Sequence, residues 1–69
     1  MDSEKTIRVD DATTTVTYVG TAAIKTDESD PFWKIKKLET VGTVLKITWA
    51  DGNEHYDNVW TDRASLTYR

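Results

Sequence analysis

The residues best suited to chemistry lie close together in the stretch WADGNEHYDNVW, residues 49–60, which holds three acidic side chains and His55, the only histidine of the chain. A histidine can act as a catalytic base, but no nucleophile stands at a fixed short spacing from it and no second base accompanies it. A calcium loop built from Asp51, Asn53 and Glu54 lacks the alternating ligands and the spaced glutamate that such loops use. We therefore expect no catalytic residues and no enzyme.

Metal and cofactor sites are equally disfavoured by composition. The chain has no cysteine, and with one histidine a zinc site would depend mostly on carboxylates, which structural zinc seldom uses. The net charge of −3 argues against sequence-independent binding to nucleic acid. No apolar run approaches the roughly 20 residues of a membrane helix, and residues 1–17 show no apolar core of a signal peptide. We expect no cofactor, no metal and no membrane segment.

The composition predicts an all-β fold, because threonine, valine, isoleucine and aromatic residues fit a pleated surface better than a helix. Residues 13–69 are predicted to form one small domain, and residues 1–12 a flexible or edge-strand arm. The first clear strand spans residues 13–23, where Gly20 suggests a bend or bulge at which another backbone comes close. Residues 25–31 are predicted to form an exposed loop.

Two turn signals, Val41-Gly42 and Asp51-Gly52, divide the centre of the chain into three strands of a meander. A two-residue turn at Val41-Gly42 alone would mix charged and apolar residues on one face. A bulge at Lys36-Lys37 would return the apolar residues to one face and the charged residues to the other, and a longer turn around Val41 is the alternative. The apolar pairs predicted with the bulge are Leu38 with Leu45, Ile35 with Ile47 and Trp33 with Trp49.

The Asp51-Gly52 hairpin would give the acids and the histidine structural roles. In this interpretation Tyr56 joins the core, His55 lies on the solvent face, and Asp57 lies among Lys36, Lys37 and Lys46. The predicted pairs are Ala50 with Asn53, Trp49 with Glu54, Thr48 with His55, Ile47 with Tyr56 and Lys46 with Asp57.

After Trp60 the polar residues 61–65 predict a single helical turn, capped by Thr61 or Asp62, before a last strand that contains Leu66 and Tyr68. This order is similar to a five-stranded Src-homology-3-like barrel, or to a strongly bent antiparallel sheet with one short helical turn before the last strand. An oligonucleotide-binding-type barrel would need a helix where the Asp-Gly turn leaves no room.

Two sets of side chains are candidates for an interface. Three tryptophans are difficult to enclose in so small a core, so they could anchor a protein partner or a second copy, unless all three are buried. The lysines are predicted to share one outer face, which is either simply solvated or a nucleic-acid contact. The candidates are Trp33, Trp49, Trp60, Lys34, Lys36, Lys37 and Lys46.

Three blocks of the chain, YVGTAA, WKIKKLE and TWADGNEHYDNVWTDRASLTY, resemble a set of very small proteins encoded by tailed bacteriophages. The resemblance covers roughly residues 16–68 and is most specific over residues 48–68. It implies a phage context and a virion or assembly component that acts through protein contacts, located in the virion or the host cytoplasm. It carries over no catalytic residues. The alternative function is a nucleic-acid-associated or host-modulating protein that uses the lysine face.

Overall fold

A computed structural model describes residues 4–69, in which four antiparallel strands form one open sheet in the order β1-β2-β3-β4. The strands are β1 (Lys5–Asp10), β2 (Val16–Ala23), β3 (Lys34–Val41) and β4 (Val44–Trp49), and a 3-10 helix, η1 (Trp60–Ser65), follows them. The all-β class and the short helical turn are confirmed. The five-stranded Src-homology-3-like barrel is not confirmed, because these strands form an open sheet.

The first two strands form a hairpin in which β1 is the edge of the sheet. β1 pairs with β2 from Lys5 opposite Ala23 to Asp10 opposite Tyr18. Residues 5–10 of the arm are therefore an edge strand, and residues 1–3 lie outside the described residues. β2 begins at Val16 and not at residue 13, because the Thr13 hydroxyl accepts the Val16 backbone N–H at 3.0 Å and holds residues 13–15 in a turn.

The turn between β3 and β4 lies one residue later than predicted. Val41 pairs with Val44, so the two loop residues are Gly42 and Thr43, and Gly42 has a φ of +63°. Thr43 does not have a positive φ, and a positive φ at the first loop position alone is that of a type II′ hairpin turn.

The predicted bulge at Lys36-Lys37 is wrong, because the β3–β4 register runs without interruption from Val41 to Lys36. Moving the turn by one residue changes every partner on the two strands. Leu38 pairs with Ile47, and Ile35 accepts a hydrogen bond of 3.0 Å from the Ala50 backbone N–H. Ile35 and Ile47 consequently lie on opposite faces of the sheet.

The Asp51-Gly52 turn forms, but the strand predicted after it does not. Both residues have positive φ, +59° and +73°, as a type I′ turn requires. The partner of β4 here is the carboxyl end of the chain: Trp49 and Arg69 exchange backbone hydrogen bonds of 3.0 and 3.1 Å, and the Asp51 N–H donates to the Thr67 carbonyl at 2.8 Å.

Four of the five residue pairs predicted for the second hairpin are therefore wrong. The exception is Ala50 with Asn53, because the Asn53 backbone N–H donates to the Ala50 carbonyl at 3.4 Å across the turn. Tyr56 is exposed instead of joining the core, and the chain returns to the sheet only at Asn58, which exchanges two backbone hydrogen bonds with Trp33 at 2.9 and 3.0 Å. Asp57 does not lie among the lysines as a counter-charge; its carboxylate accepts the Asn58 side-chain amide at 3.2 Å.

The core lies between one face of the sheet and the segment that contains η1. The rings of Trp33 and Trp60 pack with centroids 5.9 Å apart, and a Cβ at Gly20 would lie 2.5 Å from Cε3 of Trp60. Gly20 therefore makes room for an indole ring and not, as predicted, for another backbone. The buried apolar side chains of the described residues are Ala22, Trp33, Ile35, Ala50 and Trp60.

Backbone and side-chain hydrogen bonds fasten the exposed loop of residues 25–31 to this core. The Trp33 indole N–H donates to the Asp27 carbonyl at 2.9 Å, and the Thr61 backbone N–H donates to the Glu28 carbonyl at 3.2 Å. Val59 is the N-cap of η1 and makes no side-chain cap bond, so the predicted caps at Thr61 or Asp62 are wrong.

Candidate interaction surface

The two faces of the sheet differ in what lies against them. Side chains alternate along each strand, so residues paired across strands share a face. The covered face carries Gly20, Ala22 and Ile35 and packs against Trp60 and Tyr68. The opposite face, which we call the open face, carries large aliphatic side chains that are exposed.

The open face has a continuous diagonal band of aliphatic side chains. Val9 pairs directly with Val19, and Leu38 pairs directly with Ile47. Leu38 is also the diagonal neighbour of Val19, because Val19 pairs with Lys36. Four of the six residues are more than half exposed. The aliphatic band consists of Ile7, Val9, Val19, Leu38, Leu45 and Ile47.

On one side of the band, three lysines alternate with two aromatic rings. The Lys5 and Lys34 Nζ atoms lie 5.4 and 5.0 Å from the ring centroid of Tyr56. Lys34 and Lys36 place their Nζ atoms 5.8 and 5.6 Å from the ring of Trp49. At such distances the ring faces attract the ammonium groups, and the lysine stems cover apolar surface. We call Lys5, Tyr56, Lys34, Trp49 and Lys36 the lysine–aromatic row.

The other side of the band carries hydroxyl groups and a carboxylate. The Thr17 hydroxyl donates to Asp11 Oδ1 at 2.8 Å, which places the carboxylate beside the end of β1. Thr40 lies on the same face, opposite Leu45. The open face is therefore asymmetric about its band, with positive charge on one side and a carboxylate on the other.

The structure separates the residues that the sequence grouped as one interface. Trp33 and Trp60 are buried in the core, so of the three tryptophans only Trp49 is left at the surface. The lysine face is divided as well, which contradicts the prediction. Lys34 and Lys36 lie on the open face, whereas Lys37 and Lys46 lie on the opposite face, where both neighbour Glu39 and Lys37 approaches its carboxylate at 3.8 Å.

An arginine and a tyrosine hold the helical segment against the covered face. The Arg63 guanidinium donates to Asp10 Oδ2 at 2.9 Å and to the Trp60 carbonyl at 3.1 Å, and it stacks on the Trp60 ring at 4.5 Å. The Tyr68 hydroxyl donates to the Arg63 carbonyl at 2.8 Å. Burial raises the pKa of Tyr68 above its usual range, the neighbouring Tyr18 raises it further, and Arg63 acts in the opposite direction.

The acidic stretch before Trp60 is mostly exposed, from Asp51 to Asp57. His55 is exposed, and its backbone N–H donates to Asn53 Oδ1 at 2.9 Å. Within residues 4–69 no three metal-binding side chains gather at one place, and this part of the chain has no pocket.

Comparisons with protein-family models, with curated proteins and with solved structures find no match to this chain. None of the helices within residues 4–69 has the length and apolarity needed to cross a membrane.

Sequence reasoning missed the aliphatic band as a surface and Tyr56 as part of the row beside it. The signal for the band was present, because Ile7 and Val9, and again Leu45 and Ile47, alternate with polar residues along the chain. Leu45 and Ile47 are predicted from the sequence as core residues only if the sheet has a single apolar face.

Proposed function

We propose that this chain is a small protein-binding module whose open face docks against a protein surface, with no catalytic residue. One observation carries the proposal: Ile7, Val9, Leu45 and Ile47 lie together on one face of the sheet, each more than half exposed. Contiguous apolar surface of this kind in a small protein marks an interaction site. The surrounding lysines and threonines supply the polar rim that protein interfaces have.

A virion or assembly role in a tailed phage is the context that we propose for this contact, and it depends on the sequence resemblance of residues 16–68 alone. We also propose a barrel-like arrangement, to which the order of the elements along the chain is similar, with residues 67–69 as a fifth strand beside β4. The isolated bridge between Ala50 and Tyr68 supports that assignment.

A photoreactive amino acid at position 47 tests the protein contact. Ile47 is 51% exposed on the open face, whereas Val44, on the same strand and the opposite face, is 56% exposed and serves as the matched control. We expect a defined protein adduct in producing cells or assembled particles from position 47 and none from position 44. Equal labelling from both positions, or no adduct from position 47, would contradict the proposal.

Single-stranded nucleic acid is a second candidate, because the lysine–aromatic row combines cations with rings on which bases can stack. Retention on single-stranded DNA at low salt, lost as salt rises and abolished by Trp49→Ala, would support it. Under the first proposal the chain passes through the same column at low salt without retention.

A further inference from the structure

We propose that the occupant of the open face is a second copy of this chain, related by a two-fold axis that runs along the aliphatic band. The inference rests on the proposed function and specifies its partner. The core is small: among the described residues, its buried apolar side chains are two alanines, one isoleucine and two tryptophans. A domain of this length is marginally stable, and a second layer on the band would bury the aliphatic side chains that the chain itself leaves exposed.

The charges beside the band select the direction of the axis. Rotation about an axis along the band lays the lysine side of one copy on the hydroxyl and carboxylate side of the other. Rotation about an in-plane axis across the band would instead lay Lys34 and Lys36 on the same lysines of the second copy, which is repulsive. A two-fold contact must be self-complementary, and only the first arrangement satisfies this condition.

The register places the carboxylate close to the facing lysines. With a strand spacing of about 4.8 Å and a rise of about 3.4 Å per residue, the axis brings Asp11 of one copy within roughly 4 Å, in the plane of the sheet, of the Lys36 and Trp49 positions of the other. Thr17, which bonds Asp11, comes near Lys36 in the same way. With the same spacing and rise, the strands of the two copies cross at roughly 70°, which is nearer to orthogonal than to aligned sheet packing.

The size of the face predicts a weak dimer. Four strands and the rows from Lys34 to Thr40 cover roughly 20 by 20 Å, or about 400 Å² on each copy. This is below the about 800 Å² per partner of a standard interface, so a dissociation constant in the micromolar range or weaker is expected.

Sedimentation equilibrium of the full chain from about 10 µM to about 1 mM tests the dimer. We expect the mass to rise from 7.9 kDa toward twice that value with concentration. Ile47→Lys should abolish the rise, whereas Val44→Lys should leave it unchanged, with circular dichroism showing that both variants are folded. A mass of 7.9 kDa throughout, or equal loss in both variants, would overturn the inference.

A charge swap tests the two-fold arrangement itself. Asp11→Lys should weaken association about tenfold or more, and adding Lys36→Asp should restore it, because each carboxylate would again face a lysine. Failure of the second change to restore association would overturn this axis. A chain that remains monomeric but forms the position-47 adduct with another protein would overturn the second copy and leave the proposed function intact. A monomer that binds oligothymidine would overturn both.

Discussion

Replacing Gly20 by alanine would place a methyl group inside the packing of the two buried indoles. The new Cβ would lie 2.5 Å from Cε3 and 2.7 Å from Cζ3 of Trp60, and 3.1 Å from Cε3 of Trp33. Ordinary carbon contacts are about 3.5–4.0 Å, so the Trp60 ring would have to move by roughly 1 Å. Both rings are buried, and movement of one displaces the other.

The expected cost follows from two opposing effects. Overpacking of a close-packed core costs about 1–3 kcal/mol, whereas a Gly→Ala change reduces the entropy of the unfolded chain and returns about 0.4–1 kcal/mol. We expect a net loss of about 1–2 kcal/mol in the free energy of unfolding. For a domain of this size that corresponds to a midpoint temperature lower by roughly 5–15 °C.

Urea unfolding followed by tryptophan fluorescence measures this loss, and a double-mutant cycle with Trp60→Phe locates its cause. Phenylalanine lacks the outer carbons of the indole, so Gly20→Ala should cost much less in that background. Gly42→Ala is the matched control, because a Cβ there meets no atom within 4 Å and its cost, from a φ of +63°, should not depend on residue 60. An alanine at position 20 that leaves stability unchanged, or costs the same in both backgrounds, would refute the reasoning.

Three further predictions concern the segment that covers the core. The folded protein retains the Tyr68 proton that the unfolded chain releases near pH 10. The contribution of Tyr68 to the free energy of unfolding should therefore be fully present below about pH 10 and decline as the pH rises further. Tyr68→Phe should make this decline shallower in urea titrations at several pH values. Arg63→Met should lower the free energy of unfolding by about 1–2 kcal/mol, because it removes the bond to Asp10 and the contact with the Trp60 ring. Lys46→Met, at an exposed position of β4, should change it by less than about 0.5 kcal/mol, and equal effects would contradict the assignment. Removing residues 67–69 should lower the free energy of unfolding by at least about 2 kcal/mol and speed amide hydrogen exchange at Trp49 and Asp51. Unchanged exchange at these two amides would show that β4 does not pair with the carboxyl end.

The sequence was sufficient to predict the all-β class, the turn at Asp51-Gly52 and the short helix after Trp60, because each has a strong local cause. The register of β3 with β4 could not be obtained in this way. The predicted bulge at Lys36-Lys37 puts Ile35 and Leu38 on one buried face. In the structure Ile35 is buried and Leu38 belongs to the open face. Apolar residues are not confined to the interior, so periodicity alone cannot show which of two apolar faces is covered.

The prediction of a second hairpin is wrong for a different reason. Residues 53–57 and residues 67–69 compete for the same edge at Trp49, and the nearer segment has the local turn signal. The distant segment pairs there in the structure, and its Tyr68 packs on Tyr18 with ring centroids 5.6 Å apart and bonds the Arg63 carbonyl. These contacts join residues far apart in the chain, so no window of local sequence reveals their contribution.

The distribution of charge also separates two ways in which copies of this chain could meet. Lys5, Lys34 and Lys36 with Asp11 give the open face a charge of 3 − 1 = +2, and since the chain carries −3, the remaining residues carry −3 − 2 = −5. Attraction between the open face of one copy and the acidic remainder of another would be heterologous, would grow beyond two copies and would weaken as salt is added. Contact along the aliphatic band stops at two copies. Salt screens both the repulsion between the net charges of the two paired faces and the attraction between each Asp11 and the facing lysine, so that contact should depend on salt less steeply. A steep loss of association on adding salt would identify the heterologous contact instead.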